Sequence, residues 1–376
     1  MVDAVRLKKS WAQVAAYGDQ VPLFFYSTLF LEHPHVREMF PVSMANQRDK
    51  LVAALGQVVS SVDDLDAVVP VLQHLGRDHR KFAVVRDHYP AVGQALLATL
   101  EHFSGADWTP ELAQDWAAAY GIVADVMTQA ADAVADQPPW WDLQVLDVER
   151  RSVDVAVLRV LPNAPLPYAA GQSVAVEVPQ RPRLWRYYTP AGLPGADGSF
   201  ELHVRLVGGG PVSTAIVQGT RPGDVLRAGS AVGTHLTLPP GPGRDVVMIA
   251  GGTGLAPMKA LVDQMAADGG YRRAHIFWGA RYHRELYDLP AMAELDRRLG
   301  WLRVVPCVSD EPSRSSQVAQ GHAVQVALEH GPWPDHEIYI CGSPDMVRAT
   351  RAAVLDTGIP LELVHVEEFG TEETTS

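Results

Sequence analysis

The chain has 376 residues, a length at which one hydrophobic core rarely suffices and two or three domains are expected. Hydrophobic residues make up 47% and charged residues 20%, as in ordinary globular proteins, which argues against a disordered chain. Lys and Arg total 31 against 44 Asp and Glu, giving a net charge of −13. This balance argues against a nucleic-acid partner, because phosphate binding needs a clustered basic surface.

The sequence also predicts where the chain resides. No run of about 18 apolar residues is present, so no membrane span is expected. The N-terminal segment has the pattern of an amphipathic helix without a secretory hydrophobic region, and we expect a cytoplasmic protein. Cys307 and Cys341 are too few and too far apart for a metal box or a disulfide framework, and we predict buried thiols.

Three regions with different patterns follow one another, and together they predict a multidomain chain. Residues 1–136 carry Ala, Leu and Val at helical spacing, as in "PAVGQALLATLEHF", and predict an all-α domain that ends at the prolines of "DQPPWWD". Residues 143–242 hold short alternating runs such as "SVDVAVLRV" and "FELHVRLV" between Gly and Pro clusters, which predict a small antiparallel β-barrel. In residues 243–376, apolar strands such as "DVVMIA" and "EIYICG" alternate with helical stretches and predict an α/β doubly wound domain.

The stretch "VVMIAGGTGLAPMKALVDQM" runs from an apolar strand through a glycine turn into a helix. Gly251, Gly252 and Gly254 allow a diphosphate to approach the backbone, and the helix N-terminus supplies free N–H groups. By itself the stretch is also compatible with a tight turn in another kind of α/β protein.

Further motifs favour nucleotide binding. In "RYYT", residues 186–189, an arginine can pair with a diphosphate, an aromatic ring can lie against a flavin and a hydroxyl can donate to a ring atom. "GGGPVS", residues 208–213, is a second glycine-lined anion site. "YICGSPDMV", residues 339–347, ends a strand at the carboxyl edge where such sheets bind ligands.

These motifs, in this order and followed by "VEEFG", resemble the ferredoxin reductase superfamily over about residues 143–370. The resemblance implies FAD on the barrel and a nicotinamide dinucleotide on the next domain. Ser173 stands where relatives often carry an aromatic residue, so one flavin contact differs from the family pattern. The implied FAD contacts are Arg186, Tyr187, Tyr188, Thr189, Gly210, Val212, Ser213 and Phe369, and the implied nicotinamide contacts are Gly252, Thr253, Gly254, Leu255, Ala256, Pro257, Cys341 and Gly342.

The segment "FWGARYHRELYDL" bears on the choice of dinucleotide. Arg281 and Arg284 are candidates for contact with a 2′-phosphate, but Glu285 and Asp288 lie beside them. The "GAR" turn resembles relatives that use NADH. We expect NADH, with NADPH as the alternative.

The helical region contains one inward-facing histidine. Val68, Leu72 and Leu75 mark the apolar stripe of a helix, and His79 lies one step of four further along the stripe. A lone inward histidine is more often a core residue than a metal ligand, so the neighbouring segments must decide.

Those segments, "FFYSTLFLEHPHVREMFP" and "NQRDKLVAAL", together with His79 resemble the globin fold. The resemblance implies that His79 is the proximal ligand of a haem iron and that Phe40 wedges the haem. It also implies that Gln47 and Leu51 lie on the distal side, with Tyr26 as a distal hydroxyl. A partly buried helix tyrosine without a special role is the plainer interpretation of Tyr26.

The segments "RKFAVVRDHYPAVGQALLATL" and "DWAAAYGIVADVM" resemble the flavohaemoglobin branch, so one architecture accounts for about residues 1–370. In that branch a Tyr and a Glu bond to the proximal imidazole. Tyr89 matches the Tyr, but Ala131 occupies the Glu position. Asp132 is one step along, turned by roughly 100° on a helix. The resemblance therefore implies weaker electron donation to the iron.

The resemblance implies a nitric oxide dioxygenase in which NAD(P)H reduces FAD, FAD reduces haem b, and O2 and nitric oxide give nitrate. Tyr26, Gln47 and Tyr89 would be the catalytic side chains. One alternative is a haem-linked flavin reductase with another donor or substrate. Another is a gas-sensing globin whose reductase resets the iron. The expected partners are small molecules, O2, nitric oxide and NADH, and we expect a monomer.

Overall fold

The computed structural model describes residues 2–313 and 315–369. It divides into two compact units, residues 1–140 and residues 141–376. The end of the third predicted domain, residues 370–376, lies outside the described residues, as does the last glycine of "VEEFG". The finer domain boundaries near residues 136–143 and 242–243 stay predictions.

The first unit is helical, as predicted. Asp3 caps the first helix by accepting a hydrogen bond from the amide of Arg6, and Thr109 caps the last by accepting one from the amide of Leu112. Pro34 prevents the second helix from continuing and opens a 3₁₀ turn, Pro34–Met39. The α-helices are α1 Ala4–Ala15, α2 Gln20–Glu32, α3 Ala45–Ser60, α4 Leu65–His79, α5 Tyr89–Ser104 and α6 Pro110–Asp132.

The helices of this unit form two separate apolar clusters. α2 packs against α5 and α3, and its cluster contains Phe25, Tyr26 and Leu29. α4 packs mainly against α6, and a smaller cluster there contains Val68, Leu72 and Met127. The α4–α6 crossing is close because position 76 is glycine: a Cβ there would lie 2.2 Å from the carbonyl oxygen of Met127.

The second unit begins with the antiparallel barrel. Its strands lie in the order β4-β3-β6-β1-β2-β5, and a bridge between Pro190 and Leu202 joins the segment after β4 to β5. Inward-facing Val and Leu side chains fill its core, which confirms the alternation read from the sequence. The strands are β1 Trp141–Arg150, β2 Val155–Pro162, β3 Ser173–Glu177, β4 Trp185–Tyr188, β5 Phe200–Arg205 and β6 Val225–Val232, and a short helix, α7 Pro211–Thr214, precedes β6.

The remaining strands form a parallel sheet in the order β10-β9-β8-β7-β11-β12, with apolar clusters on both faces. The predicted doubly wound domain is thus confirmed. Cys307 and Cys341 are buried free thiols, also as predicted. The elements are β7 Val246–Gly251, α8 Leu255–Ala267, β8 Ala274–Ala280, α9 Leu289–Arg298, β9 Leu302–Val308, β10 Ala319–Gln320, α10 Ala323–His330, β11 Glu337–Gly342, α11 Pro344–Leu355 and β12 Val364–Glu368.

Among the described residues, none of the helices has the length and apolar character that crossing a membrane requires.

Candidate functional site

Tyr26 lies in an aromatic cluster of the first unit. Its ring meets Phe40 edge-on at 5.5 Å between centroids, and Phe40 in turn meets Phe30 at 5.3 Å. Phe40 reaches this position because the 3₁₀ turn that starts at Pro34 ends at Met39. Leu51, on α3, packs against the same cluster. The structure therefore brings together Tyr26, Phe40 and Leu51, which the globin resemblance places around a haem.

The hydroxyl of Tyr26 faces α3. It donates a hydrogen bond to the backbone carbonyl of Gln47 at 3.3 Å, a long and weak contact. The residue is 6% exposed, and burial raises its pKa to about 12. Tyr26 is therefore a protonated donor at every working pH. Its acceptor in this structure is a backbone oxygen of α3.

His79 is the last residue of α4, and one of its ring nitrogens is engaged. Nδ1 lies 2.7 Å from the carbonyl oxygen of Leu75. Since a carbonyl only accepts, Nδ1 carries the proton and the lone pair is on Nε2. Burial is the main influence on the pKa of His79 and lowers it, so the imidazole is neutral near pH 7. A neutral imidazole with an available Nε2 is the form that ligates iron.

Tyr89 and Ala131 line one cavity beside α4. The cavity has a volume of about 220 Å³, and Gly76, Arg80 and Thr128 are also on its wall. No described residue makes a hydrogen bond to the Tyr89 hydroxyl, whereas the Tyr89 carbonyl accepts one from Tyr120 at 2.6 Å. In this structure Leu75, and not Tyr89, accepts the proton on Nδ1 of His79. The small side chain of Ala131 forms part of the wall of this cavity.

A buried ion pair next to His79 was missed by the sequence reasoning. Lys81 is 6% exposed and its Nζ lies 2.7 Å from Asp78 Oδ1. The letters "RDHRKF" look like a charged surface run, and no periodicity distinguishes a buried lysine within them. The pairing with Asp78 offsets the cost of burying the ammonium group.

Seven of the eight predicted flavin residues lie in the barrel, along and directly after β4 and around the start of α7. Arg186 on β4 donates to the carbonyl of Trp185 at 2.8 Å, and Thr189 directly after β4 is 3% exposed. Ser213 accepts a hydrogen bond from the amide of Val207 at 3.1 Å, which folds the glycine loop onto the start of α7. Burial raises the pKa of the Tyr188 hydroxyl well above its usual value. Tyr187 is partly buried, and Val212 is fully buried within the barrel core.

The two segments predicted for the nicotinamide lie against each other. A Cβ on Gly254 would come within 2.3 Å of the Cys341 carbonyl oxygen, so only glycine permits this approach. Gly252 has φ +55°, and its carbonyl accepts a hydrogen bond from Trp278 Nε1 at 2.9 Å. The amide of Phe369 donates to the Gly342 carbonyl at 2.7 Å. These contacts bring the glycine turn, the end of β11 and Phe369 to the same edge of the sheet. The other predicted contacts lie there too, because Thr253 is in the turn and α8 starts with Leu255, Ala256 and Pro257.

The charged segment after β8 is arranged around a carboxylate. Glu285 accepts a hydrogen bond from the Arg281 amide at 3.0 Å and lies 3.4 Å from the Arg281 guanidinium. Arg205 Nη2 approaches the same carboxylate at 3.7 Å. Arg284 stacks over the Tyr282 ring at 4.6 Å. The Arg281 guanidinium is thus paired with the Glu285 carboxylate, and the Arg284 guanidinium is stacked on the Tyr282 ring.

A second group that sequence reasoning missed is Glu367, on β12. Its carboxylate accepts a hydrogen bond from Ser173 at 2.9 Å, and Ser173 is also 2.8 Å from the hydroxyl of Thr189. No local motif links Ser173 to Glu367, because 194 residues separate them.

Comparison with known proteins agrees with this arrangement. Three family profiles match: Globin over residues 23–127, Oxidoreductase FAD-binding domain over 142–235 and Oxidoreductase NAD-binding domain over 248–352. The flavohemoprotein of Deinococcus radiodurans is 29% identical, covering 98% of this chain and 96% of the relative. The flavohemoprotein of Bacillus subtilis is 25% identical, covering 97% and 96%.

Solved structures show the same architecture. The flavohemoglobin of Malassezia yamatoensis, a crystal structure with bound FAD and heme, matches 98% of both chains with a TM-score of 0.77 at 18% identity. The Amycolatopsis cytochrome P450 reductase GcoB matches 61% of this chain and 70% of its own with a TM-score of 0.56 at 30% identity.

The chain is therefore an oxidoreductase in which a globin precedes an FAD-binding barrel and an NAD-binding domain. It resembles curated flavohemoproteins over 97–98% of its length and has the architecture of a solved flavohemoglobin. Its cofactors are haem, FAD and a nicotinamide dinucleotide. The residues present fit them. The first unit supplies a neutral imidazole with an available Nε2 beside apolar clusters, and the second supplies a glycine turn that leads into the N-terminus of α8.

Proposed function

We propose that this protein is an NADH-dependent nitric oxide dioxygenase. When bound, haem supplies the iron at which dioxygen and nitric oxide combine to nitrate, and FAD converts the two-electron donation of NADH into single-electron transfers. The curated relatives of the chain support the proposal, as does the structural match to a reductase domain described as that of a nitric oxide dioxygenase from Vibrio cholerae, 21% identical with a TM-score of 0.54.

The observation that carries the proposal is the Tyr26 hydroxyl. It is buried among Phe25, Phe30 and Phe40, it stays protonated, and its present hydrogen bond of 3.3 Å is weak. A donor of this kind stabilises a partial negative charge on a small ligand, and it does so strongly because water is excluded. Gln47 would assist through the backbone contact that orients the phenol.

His79 holds the iron in this proposal. The hydrogen bond from Nδ1 to the Leu75 carbonyl fixes the ring and directs the Nε2 lone pair. Tyr89 borders the same side of α4, and Phe40 and Leu51 supply apolar contact. A carbonyl polarises the imidazole less than a carboxylate does. With Ala131 in place of the family Glu, the proximal ligand therefore donates less charge to the iron.

In the second unit, Arg186, Tyr187, Tyr188 and Thr189 would hold FAD together with Gly210, Val212, Ser213 and Phe369. The turn Gly252–Pro257, with Cys341 and Gly342, would receive the nicotinamide dinucleotide. The turn leads into the N-terminus of α8, where the positive end of the helix dipole suits a diphosphate.

We propose NADH as the donor because Glu285 occupies the segment that follows β8. A carboxylate there accepts a ribose hydroxyl and repels a 2′-phosphate. Arg281 already pairs with that carboxylate, and Arg284 stacks on Tyr282. We expect kcat/KM to be higher with NADH than with NADPH, and a preference for NADPH would contradict the choice.

The test of the function is steady-state turnover in air. The purified holoprotein should consume nitric oxide with NADH and form nitrate in proportion to the electrons delivered, since each nitrate needs one electron. NADH oxidation without nitrate would favour a haem-linked reductase with another substrate. Nitric oxide binding without sustained NADH use would favour a gas sensor.

A further inference from the structure

A chain of three oxygen-bearing side chains crosses from the parallel sheet to the barrel within the second unit. Ser173 begins β3, Thr189 follows β4 and Glu367 lies near the end of β12. Ser173 Oγ is 2.9 Å from Glu367 Oε1 and 2.8 Å from Thr189 Oγ1. Ser173 and Thr189 are 5% and 3% exposed. Bulk water therefore has little access to either hydroxyl.

The number of hydrogens in this chain fixes the direction of its bonds. A hydroxyl donates one hydrogen only. When Glu367 is ionised, the Ser173 hydroxyl donates its hydrogen to the carboxylate and accepts a hydrogen bond from the Thr189 hydroxyl. The single hydrogen of Thr189 is then engaged with Ser173. With Glu367 protonated, the carboxyl donates to Ser173 and Ser173 donates to Thr189. The hydrogen of Thr189 is then free to be donated to another group.

Glu367 is placed to change its protonation near neutral pH. Burial, the larger influence, raises its pKa to about 7, and the hydrogen bond from Ser173 acts in the opposite direction. Opposite it on β11 is Cys341, a thiol whose pKa burial and Glu367 both raise, so it remains neutral. The charged residues Asp345, Arg348 and Arg351 of α11, which packs against β12, are exposed.

We propose that Ser173 is a positioning residue that couples protonation of Glu367 to the direction of the Thr189 hydroxyl at the flavin site. The inference rests on the proposed placement of FAD at Thr189 and adds to it a proton-dependent control. The only atom exchanged with solvent is one proton on Glu367. The two hydroxyls keep their own hydrogens and rotate.

The consequence is a flavin whose surroundings depend on pH. When Glu367 is protonated, Thr189 offers a hydrogen to an acceptor atom of the ring, which favours added electron density there. When Glu367 is ionised, Thr189 offers only lone pairs. Serine suits position 173 because it is small enough to lie between the two partners and because its hydroxyl both donates and accepts. An aromatic side chain there lacks this short bridge.

The test uses two titrations and four substitutions. The first follows the infrared band of the protonated Glu367 carboxyl in protein freed of FAD, with Glu367→Gln identifying the band. The second follows the visible flavin spectrum of the holoprotein over the same pH range. Ser173→Ala removes the bridging hydroxyl at nearly constant volume, Ser173→Val removes it in a larger side chain, and Ser173→Thr, which has the shape of valine but keeps a hydroxyl, is the matched control.

We expect the wild-type flavin spectrum to titrate with the same midpoint as the carboxyl band. In Ser173→Val and Ser173→Ala the carboxyl midpoint should move to higher pH, because a bond that favours the carboxylate is lost, and the flavin spectrum should no longer change at that midpoint. Ser173→Thr should behave as wild type. A flavin titration that survives in either bridge-removing variant, or in Glu367→Gln, overturns the inference. Nitric oxide turnover with NADH is measured in parallel, so that a wild-type flavin spectrum that does not follow the carboxyl midpoint, together with retained turnover, refutes only this inference.

Discussion

Asp288 is the buried centre of the contact between the barrel and the parallel sheet, and its neutralisation is a demanding test of the structure. The carboxylate is 1% exposed. It accepts from Arg151 at 3.1 Å and from Lys259 at 2.7 Å. Asp288→Asn keeps the shape of the side chain and removes its charge. Two cations are then left with less compensation in a site that water hardly reaches.

The magnitude follows from the remaining partners. Removing one member of a buried ion pair costs about 3–5 kcal/mol. Arg151 retains Glu149 at 2.8 Å and Lys259 retains Glu201 at 3.7 Å, so part of the compensation survives. The asparagine oxygen also still accepts a hydrogen bond. We therefore expect the second unit to lose about 2 kcal/mol of unfolding free energy, below the full cost of a broken buried pair.

The assay is denaturant unfolding of the FAD-loaded protein, followed by flavin fluorescence because that signal reports on the second unit. The matched control is Glu294→Gln, which breaks the pair between Glu294 and Arg297. That pair has the same 2.7 Å separation, but its side chains are 55% and 74% exposed. The control should cost less than about 1 kcal/mol. Equal losses in the two variants would refute the argument that burial sets the value of the Asp288 contacts.

Three further predictions concern the sites. Tyr26→Phe should speed the loss of bound O2 about tenfold, since one hydrogen bond of about 1.4 kcal/mol is removed; an unchanged dissociation rate by flash photolysis would remove Tyr26 from the site. Gly254→Ala should raise KM for NADH and leave the flavin spectrum intact, because its Cβ would lie 2.3 Å from the Cys341 oxygen; wild-type KM would contradict this close approach. Burial raises the folded-state pKa of Glu367 from 4.5 to about 7, so its ionisation costs stability as pH rises through that interval. Glu367→Gln should therefore flatten the fall of the unfolding midpoint between pH 4.5 and 7, and an undiminished slope would show that another group causes it.

The architecture was accessible from the sequence because its signals are local. Alternation of apolar residues predicted the barrel strands, and the change to continuous apolar runs followed by helices predicted the parallel sheet. His79 is on the predicted helix and ends it. The two segments predicted for the nicotinamide, the glycine turn and the end of β11, lie against each other at Gly254 and Cys341.

The features that sequence reasoning missed depend on long-range contacts or on burial. Ser173 and Glu367 form a hydrogen bond although 194 residues separate them, and no local sequence pattern predicts that the two side chains meet. Lys81 is buried because Asp78 is beside it and Phe82 lies under its ammonium group, which a charged run does not reveal. The bond from His79 to the Leu75 carbonyl likewise depends on the side-chain rotamer at the end of α4.

The most direct test of the central claim is a comparison of wild type with His79→Ala, both expressed with ample haem, for absorption and nitrate formation from nitric oxide in air with NADH. The account predicts that wild type shows a Soret band together with flavin absorption and forms nitrate. It predicts that His79→Ala loses the Soret band and nitrate formation but still reduces its flavin with NADH. A variant that retains both the Soret band and nitrate formation would contradict the assignment of His79, and with it the proposed path of electrons through this chain.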